Sequence, residues 1–417
     1  MKVNSPGVSY SSIVEIGENV AKLEKSNGLE YLKLHRGVMD VDIIDINSVM
    51  EGFDYNKKSI QQYGPNDGDN NLISTIKFKF NLIDHHVLMT PGGMSSLDLV
   101  VNSLSDDNFW VPKYHWGSWN KILKIHNKNI KEFNDFNIES FKACDPLLGF
   151  SGVVLLCFPS NPTGWSPSFD ELKKFLDHSK SKNITVILDL PYYYLFNGFE
   201  DRIHELYYDN VIIVSSFSKS LGLSGLRVGY IATKNEELYN SLKIRSLYKY
   251  NSISNISQKI ILNLLNTNNG KMSIDNYQRK TKQNIKDNIL FLSEKGLLFD
   301  EYPSIPTGPF AIIKVDYDTL LSNLITSVPL NKFSLDRTVN SNYSRISVAV
   351  PHDKFKKYFT DIKNIEILPE DIWNEEKLNK ISELVKNHSN NQSEGRKIRN
   401  KLLSNQYKIE DNNNLKK

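Results

Sequence analysis

The segment SSFSKSLGLSGLRVGY, residues 215–230, places a lysine just after an apolar strand and surrounds it with serines and glycines. Lys219 is followed eight positions later by Arg227. The segment thus offers an amine that can form an imine, hydroxyls and a guanidinium that can bind a phosphate, and glycines that let the backbone approach a ligand. A solvated lysine in an ordinary Gly/Ser loop is the alternative that this segment alone leaves open.

Short, nearly unbroken apolar runs on both sides of this segment predict strands buried between two layers of helices in a mostly parallel sheet. These runs are residues 87–90, 152–158, 184–189, 211–216 and 228–232. Further on, one long helical stretch at about residues 254–295 and two strands at 311–315 and 345–350 predict a smaller α+β unit. The sequence therefore predicts an α/β fold of two lobes.

The predicted units divide the chain into four parts. Residues 1–45, which carry apolar residues at helical spacing, form an N-terminal segment that contributes to the small domain. Residues 46–270 form the large domain, and residues 271–387 form the small C-terminal domain. Residues 388–417 are rich in Asn, Lys and Ser, which predicts a poorly ordered tail.

Charge and composition bear on the kind of partner and on the cellular compartment. The 417 residues include 51 basic and 48 acidic side chains without a dominant basic stripe, so neither nucleic acid nor a membrane is expected as a partner. The N-terminus lacks the apolar core of a signal peptide. The two cysteines, Cys144 and Cys157, do not suggest a disulfide framework and fit a reducing compartment. A cytoplasmic protein without a metal site is expected.

Polar residues also follow three other predicted strands. Asp189 ends the strand in ILDLPYYY, where open α/β sheets place ligand-binding groups, although a carboxylate can also simply turn a strand end. Asn161, in CFPSNPTGWSPS, offers an amide, although Asn-Pro and Thr-Gly are ordinary turn residues. Gly92 and Gly93 expose backbone N–H groups at a helix N-terminus, which favours an anionic phosphate.

Taken together, these four motifs resemble the class I/II aminotransferases of the aspartate aminotransferase superfamily, which are fold-type I enzymes that use pyridoxal 5'-phosphate. The resemblance runs from about Tyr63 to Arg345 and is specific at the NPTG turn, the Asp-x-x-Tyr strand end and the Ser-x-Ser-Lys segment. It implies an α/β fold with a large, mostly parallel seven-stranded sheet and a smaller α+β domain. It also implies transfer of an amino group from an amino acid to a 2-oxo acid by a homodimer.

The resemblance also implies roles for individual residues. Lys219 would hold the cofactor as a Schiff base and shuttle a proton, Asp189 would pair with the pyridine nitrogen, and Asn161 and Tyr192 would contact the phenolic oxygen. The residues implied in phosphate binding are Gly92, Gly93, Met94, Ser216, Ser218, Arg227 and, from the neighbouring subunit, Tyr63. Met94 stands where a small or hydroxylated residue is usual.

The aromatic segment FWVPKYHWGSWNKI resembles the family segment that stacks on the pyridine ring. Alignment from its Trp-Val pair places Trp116 in that role. Tyr114 and Trp119 are competitors, and a purely structural aromatic cluster is a further alternative.

Arg345 matches the family arginine that pairs with the substrate α-carboxylate, and a guanidinium suits a planar carboxylate. An arginine on an edge strand in a surface salt bridge is the alternative. Gly37 and Asn161 are also implied in substrate binding. Arg245 lies where relatives with acidic substrates place a second arginine, but an exposed helix arginine is the favoured interpretation.

Two other functions compete with transamination. Elimination, oxidation or cyclisation of an amino acid would use the same cofactor anchors, because all of these reactions stabilise a carbanion. A non-catalytic ligand-sensing regulator is the third hypothesis. Such regulators carry an N-terminal helix-turn-helix domain, whereas about fifty residues precede the predicted core here.

Overall fold

A computed structural model describes residues 1–3, 5–134, 151–196, 202–336, 338–339, 341–360, 362 and 383. The tail predicted at 388–417 and Cys144 lie outside the described residues. In the part of the chain that is described, no helix is both long enough and apolar enough to span a bilayer.

Helices and strands alternate along most of the chain. The strands are β1 (Leu32–Lys33), β2 (His86–Thr90), β3 (Asn108–Pro112), β4 (Asn129–Phe133), β5 (Val153–Cys157), β6 (Thr185–Asp189), β7 (Val211–Ser216), β8 (Gly229–Thr233), β9 (Phe310–Ile313), β10 (Ile325–Thr326), β11 (Val328–Pro329) and β12 (Ser344–Ser347). The α-helices are α1 (Ser12–Asn27), α2 (Asn47–Met50), α3 (Lys58–Gln61), α4 (Asn70–Lys79), α5 (Gly93–Ser103), α6 (Gly117–Ile125), α7 (Phe169–Ser181), α8 (Phe217–Ser220), α9 (Glu236–Tyr250), α10 (Asn255–Asn266), α11 (Asn268–Glu294), α12 (Tyr317–Ser322) and α13 (His352–Phe359).

The large sheet has seven strands in the order β2-β8-β7-β6-β5-β3-β4. β8 pairs antiparallel with β2 and β7, and the other neighbours pair in parallel. Strands β5 and β7 are buried along their whole length, as nearly unbroken apolar runs require when helices cover both faces. The predicted mostly parallel, seven-stranded sheet is confirmed.

The five strands predicted from apolar runs correspond to β2, β5, β6, β7 and β8. Strands β3 and β4 were not predicted from their residues. β4 is an edge strand whose residues alternate between exposed and half-buried positions until Phe133, so it has no apolar run. β3 ends on Pro112, a residue that normally argues against a strand.

The small unit contains two further sheets, one pairing β1 with β10 in parallel and one with the antiparallel order β11-β12-β9. Helix α1 packs Ile16, Val20 and Leu23 against Tyr317 and Leu321 of α12 in a second hydrophobic cluster. The N-terminal segment thus joins elements from beyond residue 310. The domain boundaries themselves stay a prediction.

The helical stretch predicted at about 254–295 consists of two helices in the structure, α10 and α11. Thr267 lies at the junction, and its side chain accepts a hydrogen bond from the backbone N–H of Gly270 (3.1 Å), which caps α11. A Cβ on Gly270 would lie 2.3 Å from the carbonyl oxygen of Leu264. The close approach of the two helices therefore depends on this glycine.

The sheet brings the predicted functional residues to one edge. Asp189, the last residue of β6, is the register partner of Cys157 on β5 and of Val214 on β7. Helix α8, which carries Lys219, follows directly from β7. Carboxyl ends of parallel strands form the usual binding crevice of open α/β sheets.

The turn at Gly164 joins this edge of the large sheet to the small unit through close backbone contacts. Gly164 has φ +68°, and a Cβ there would lie 1.9 Å from the carbonyl oxygen of Phe310 on β9. Its own carbonyl oxygen accepts hydrogen bonds from the N–H groups of Thr307 (3.1 Å) and Gly308 (2.8 Å). No side chain fits at this position without moving backbone.

We expect Gly164→Ala to destabilise the protein far more than Gly296→Ala. Both glycines have a left-handed φ, which costs an alanine about 1 kcal/mol, but nothing lies within 4 Å of a Cβ on Gly296. The Gly164 variant adds a backbone clash, so its free energy of unfolding in urea should fall by several kcal/mol more. Equal losses in the two variants would contradict this account of the turn.

Candidate active site

A cavity of about 340 Å³ lies at the carboxyl edge of the large sheet. It brings together most of the predicted site residues: Gly37, Gly93, Met94, Trp116, Asn161, Asp189, Tyr192, Ser216, Ser218, Lys219, Arg227 and Arg345. Gly92 lies directly beside it, against the Arg227 guanidinium. Tyr63 is 87% exposed and lines a different surface depression, formed by residues 60–64 and 252–256.

Lys219 is partly buried, and its amine donates a hydrogen bond to the backbone carbonyl oxygen of Gly37. Burial, together with the positive charges of Arg345 and Arg227, lowers the pKa of Lys219 to about 8. A substantial fraction of the amine is therefore neutral near pH 8. A neutral amine can act as a nucleophile or as a base, whereas an ammonium group cannot.

Asp189 is buried, with 6% of its surface exposed, and it accepts a hydrogen bond from the indole N–H of Trp119 (3.3 Å). Burial raises the pKa of Asp189 to about 7, and the Trp119 hydrogen bond opposes that rise. Charging a buried carboxyl group is costly unless a cation or donor pairs with it. Asp189 is thus suited to a ligand that presents a protonated nitrogen.

A second part of the cavity suits an anion. The Arg227 guanidinium donates to the carbonyl oxygens of Ser224 (2.9 Å) and Pro91 (3.2 Å), and a Cβ on Gly92 would lie 2.8 Å from its Nη2 atom. Ser216 Oγ faces the first residue of α5, since a Cβ on Gly93 would lie 3.6 Å from it. A guanidinium, a hydroxyl and a helix N-terminus together favour a phosphate.

Arg227 itself adopts a left-handed backbone conformation, with φ +55°. That conformation costs a non-glycine residue about 1 kcal/mol or more. The two backbone acceptors hold the strained residue so that its guanidinium lies between Gly92 and the cavity.

Arg345 is 1% exposed, although a surface position was an open alternative. Its guanidinium lies over the rings of Phe310 (4.7 Å) and Phe333 (4.9 Å), and Nη2 donates to the carbonyl oxygen of His35 (3.1 Å). Nε and Nη1 are buried and have no hydrogen-bond partner among the described residues. Burial lowers the pKa of Arg345 to about 10. These unpaired donors leave the guanidinium able to bind an anion such as a carboxylate.

Asn161 and Tyr192 complete the wall nearest Asp189. The Asn161 side-chain oxygen is buried and has no hydrogen-bond partner among the described residues. A Cβ on Gly37 would lie 3.7 Å from the Tyr192 hydroxyl and 2.8 Å from the Phe310 ring. Burial raises the pKa of Tyr192 well above its ordinary range, so this hydroxyl keeps its proton.

The three aromatic candidates occupy different places. Trp116 lines the cavity, whereas Trp119 lies behind it and holds Asp189, and Tyr114 packs edge to face on Phe299 with ring centres 6.0 Å apart. Only Trp116 of the three is placed to contact a ring in the cavity, although its stacking role stays a prediction.

Two functional positions were missed by the sequence analysis. Trp119 was considered only as a stacking residue, and nothing in the sequence indicated that it would bond to Asp189. Arg36 also lines the cavity, next to Gly37, and its place in LKLHRG was the available signal. Arg245 is exposed on α9, as the favoured interpretation expected, and its Nε donates to Ser241 (3.3 Å).

The family model described as aminotransferase class I and II matches residues 30–298. The chain belongs to this family. The fold agrees with that assignment: aspartate aminotransferase from Thermus thermophilus with maleate superimposes with a TM-score of 0.72 at 17% identity, over 86% of this chain and 98% of that one. The fold is therefore that of the fold-type I aminotransferases.

Curated relatives of this family member include histidinol-phosphate aminotransferases. That of Oceanobacillus iheyensis is 28% identical over 199 residues, 46% of this chain and 54% of the relative. That of Haemophilus influenzae is 24% identical over 310 residues, 70% of this chain and 79% of the relative. The chain spans about half the length of the first curated relatives that it matches.

We expect the Asp189 carboxyl group to reduce the stability of the cofactor-free protein as the pH rises from about 4 to about 7. The folded chain keeps the Asp189 proton up to a pKa of about 7, but the unfolded chain releases it near 3.8. Between these values this group binds more protons in the folded state, so its contribution to the free energy of unfolding falls with pH. Asp189→Asn removes this term and should be more stable than the parent at pH 8, by up to about 4 kcal/mol.

Urea unfolding at several pH values between 4 and 8 measures this difference. Asp300→Asn is the matched control, because the Asp300 side chain is 69% exposed and pairs with Lys314 at the surface. If the stability profiles of the parent and of Asp189→Asn run parallel, the buried carboxyl does not titrate as described.

Proposed function

We propose that this chain is a pyridoxal-phosphate-dependent aminotransferase that moves an amino group from an amino acid to a 2-oxo acid. One observation carries the proposal: a single cavity contains a lysine with a lowered pKa, a buried carboxyl group and a buried guanidinium with two free donors. These three groups match the aldehyde-binding amine, the ring-nitrogen partner and the substrate-carboxylate partner that the reaction needs.

The residues present fit the cofactor. Asp189 would hold the protonated ring nitrogen, and the side-chain NH2 group of Asn161 and the Tyr192 hydroxyl would donate to the phenolic oxygen. Arg227, Ser216, Ser218 and the backbone of Gly92 and Gly93 would hold the phosphate, and Trp116 would lie against the ring. When bound, the cofactor withdraws electrons from the substrate α-carbon.

The chain's own groups orient the substrate and move its proton. Arg345 holds the α-carboxylate in a bidentate pair, at a depth fixed by Phe310 and Phe333. Lys219 Nζ would carry the proton from the substrate α-carbon to the cofactor carbon that receives the amino group. Its lowered pKa suits both directions near neutral pH.

The proposal includes a location in the reducing cytoplasm. The two cysteines of the sequence support it, since Cys157 is a buried free thiol rather than half of a disulfide.

We expect the purified enzyme to convert an amino-acid donor and pyruvate, 2-oxoglutarate or oxaloacetate into a new amino acid and a new 2-oxo acid, detected by mass. Lys219→Ala should abolish turnover, because the amine that carries the cofactor and the proton is lost. Lys271→Ala, which removes an exposed lysine of α11, is the matched control and should keep the parent activity.

Products that form without any 2-oxo acid would instead indicate elimination or cyclisation. Borohydride reduction followed by peptide mapping gives a second measurement, and the cofactor should be found on Lys219. A label on another lysine would refute the assignment.

The proposal also includes a homodimer in which Tyr63 reaches the phosphate of the neighbouring subunit. Tyr63 is 87% exposed and remote from its own cavity, so it is available to a second chain. The side chain of Asn255 holds the residues just before Tyr63, because it donates hydrogen bonds to the carbonyl oxygens of Ser59 (2.9 Å) and Gln62 (2.7 Å). Helix α9 adds apolar exposure at Ile244 (60%) and Tyr248 (85%). Exposed aromatic and aliphatic side chains of this kind favour a buried interface.

We expect mixed dimers of Lys219→Ala and Tyr63→Ala chains to regain activity that neither variant has alone. If Tyr63 acts in the partner's site, each mixed dimer has one fully intact site. Random mixing should then restore about a quarter of the parent activity, because half of the dimers are mixed and one of their two sites is intact. If Tyr63 acts in its own subunit, mixing restores nothing, and if it acts in neither site, Tyr63→Ala keeps the parent activity without mixing.

A further inference from the structure

The cavity holds more positive charge than the proposed reaction uses. Its charged lining consists of the cations Arg36, Lys219, Arg227 and Arg345 and the single carboxyl group of Asp189. On the proposed function, the cofactor uses Lys219, Arg227 and Asp189, and the substrate α-carboxylate uses Arg345. One guanidinium, that of Arg36, has no assigned anion.

Arg36 has no internal partner that would explain its position. It is exposed, and it makes no ion pair and no side-chain hydrogen bond with any other described residue. It lies against helix α1 at Gly17, where a Cβ would be 3.3 Å from its Nη2 and 3.6 Å from its Nε. The absence of a side chain at residue 17 thus leaves room for the guanidinium beside the helix.

The backbone fixes Arg36 relative to the substrate anchors on both sides. The carbonyl oxygen of the preceding residue, His35, accepts from Arg345 Nη2 (3.1 Å), and that of the following residue, Gly37, accepts from Lys219. Arg36, which lines the cavity, thus lies between one residue that contacts Arg345 and one that contacts Lys219. The two guanidinium groups belong to one connected wall of the cavity.

Apolar side chains line the same cavity between these charged groups, namely Ile13, Val38, Leu97 and Trp116. A substrate held by Arg345 at its α-carboxylate can place side-chain carbons against these residues. A charged group at the far end of that side chain then meets the cation of Arg36 at the exposed side of the cavity.

We propose that Arg36 is a specificity-determining residue that binds a second anionic group, a carboxylate or a phosphate, at the side-chain end of the substrate. This inference rests on the proposed function. The planar guanidinium pairs with either anion through two hydrogen bonds. Because Arg36 is exposed, a neutral substrate leaves it solvated at little cost, so the preference comes from a gain for anionic substrates rather than a penalty for neutral ones.

Binding of inert acids to the cofactor-loaded enzyme tests the inference without turnover. Glutarate should bind about tenfold more tightly than pentanoate, which has the same carbon chain and one carboxylate fewer. Arg36→Met should abolish this difference by weakening glutarate alone, and Arg36→Lys should keep part of it, because the charge remains and the fork is lost. Titration calorimetry gives the affinities of the parent, Arg36→Met and Arg36→Lys for both acids. The affinity for 4-phosphonobutanoate, compared with that for glutarate, shows whether a phosphate-type or a carboxylate-type anion is preferred.

Arg245→Met is the matched control, since Arg245 is exposed on α9 and does not line the cavity. It should keep the full glutarate preference. Equal affinities of glutarate and pentanoate in the parent, or loss of the preference in Arg245→Met rather than Arg36→Met, would overturn the inference.

Kinetics separate this inference from the proposed function. With aspartate and glutamate as anionic donors, Arg36→Met should lower kcat/KM about tenfold, mainly through KM, while leucine and phenylalanine should change less than about threefold. Equal losses for all donors would overturn the inference while leaving transamination intact. A parent enzyme that makes no new amino acid would refute the proposed function, and the calorimetric preference would still decide the role of Arg36.

Discussion

The burial of a carboxyl group at the end of β6 is the constraint on which the site depends. Asp189 is nearly inaccessible to solvent, and within the described part of the chain the indole N–H of Trp119 alone compensates for some of the lost hydration. Burial therefore favours the protonated form and raises its pKa to about 7. Such a group destabilises the empty chain at physiological pH and becomes favourable only beside a cation. The unpaired carboxyl group thus lowers the stability of the empty chain, and a positively charged ring nitrogen beside it would offset that loss.

The opposite problem arises across the cavity. Arg345 is buried as a cation, and aromatic faces and one backbone carbonyl oxygen replace only part of its hydration. Two of its donors have no hydrogen-bond partner among the described residues, and burial in the same cavity lowers the pKa of Lys219. A carboxylate entering next to Arg345 completes its hydrogen bonds. On the proposed function, the cofactor would compensate the buried carboxyl group and the substrate would compensate the buried guanidinium, within one cavity.

Much of this arrangement could be predicted from the sequence, because four motifs stand where strands end and the topology brings those ends together. β4 could not be predicted, since an edge strand needs no apolar run, and the break at Thr267 depends on a tertiary contact at Gly270. The pairing of Trp119 with Asp189 joins residues 70 positions apart in the chain, and no local pattern encodes such a contact. Arg36 stood in a stretch recognised only as extended, because nothing local distinguishes a guanidinium that lines a cavity from a solvated one.

The two ends of the site belong to different sheets. Arg345 and its aromatic neighbour Phe310 stand on the three-stranded sheet, whereas Asp189 and Lys219 belong to the seven-stranded sheet and the helix that follows it. On the proposed function, an amino acid would be bound at its carboxylate by a residue of one sheet and at its reacting carbon by residues of the other. It would therefore act as a non-covalent cross-link between the two sheets. Occupancy of the cavity should therefore be felt across the whole molecule, as a higher resistance to unfolding that grows with ligand concentration by mass action.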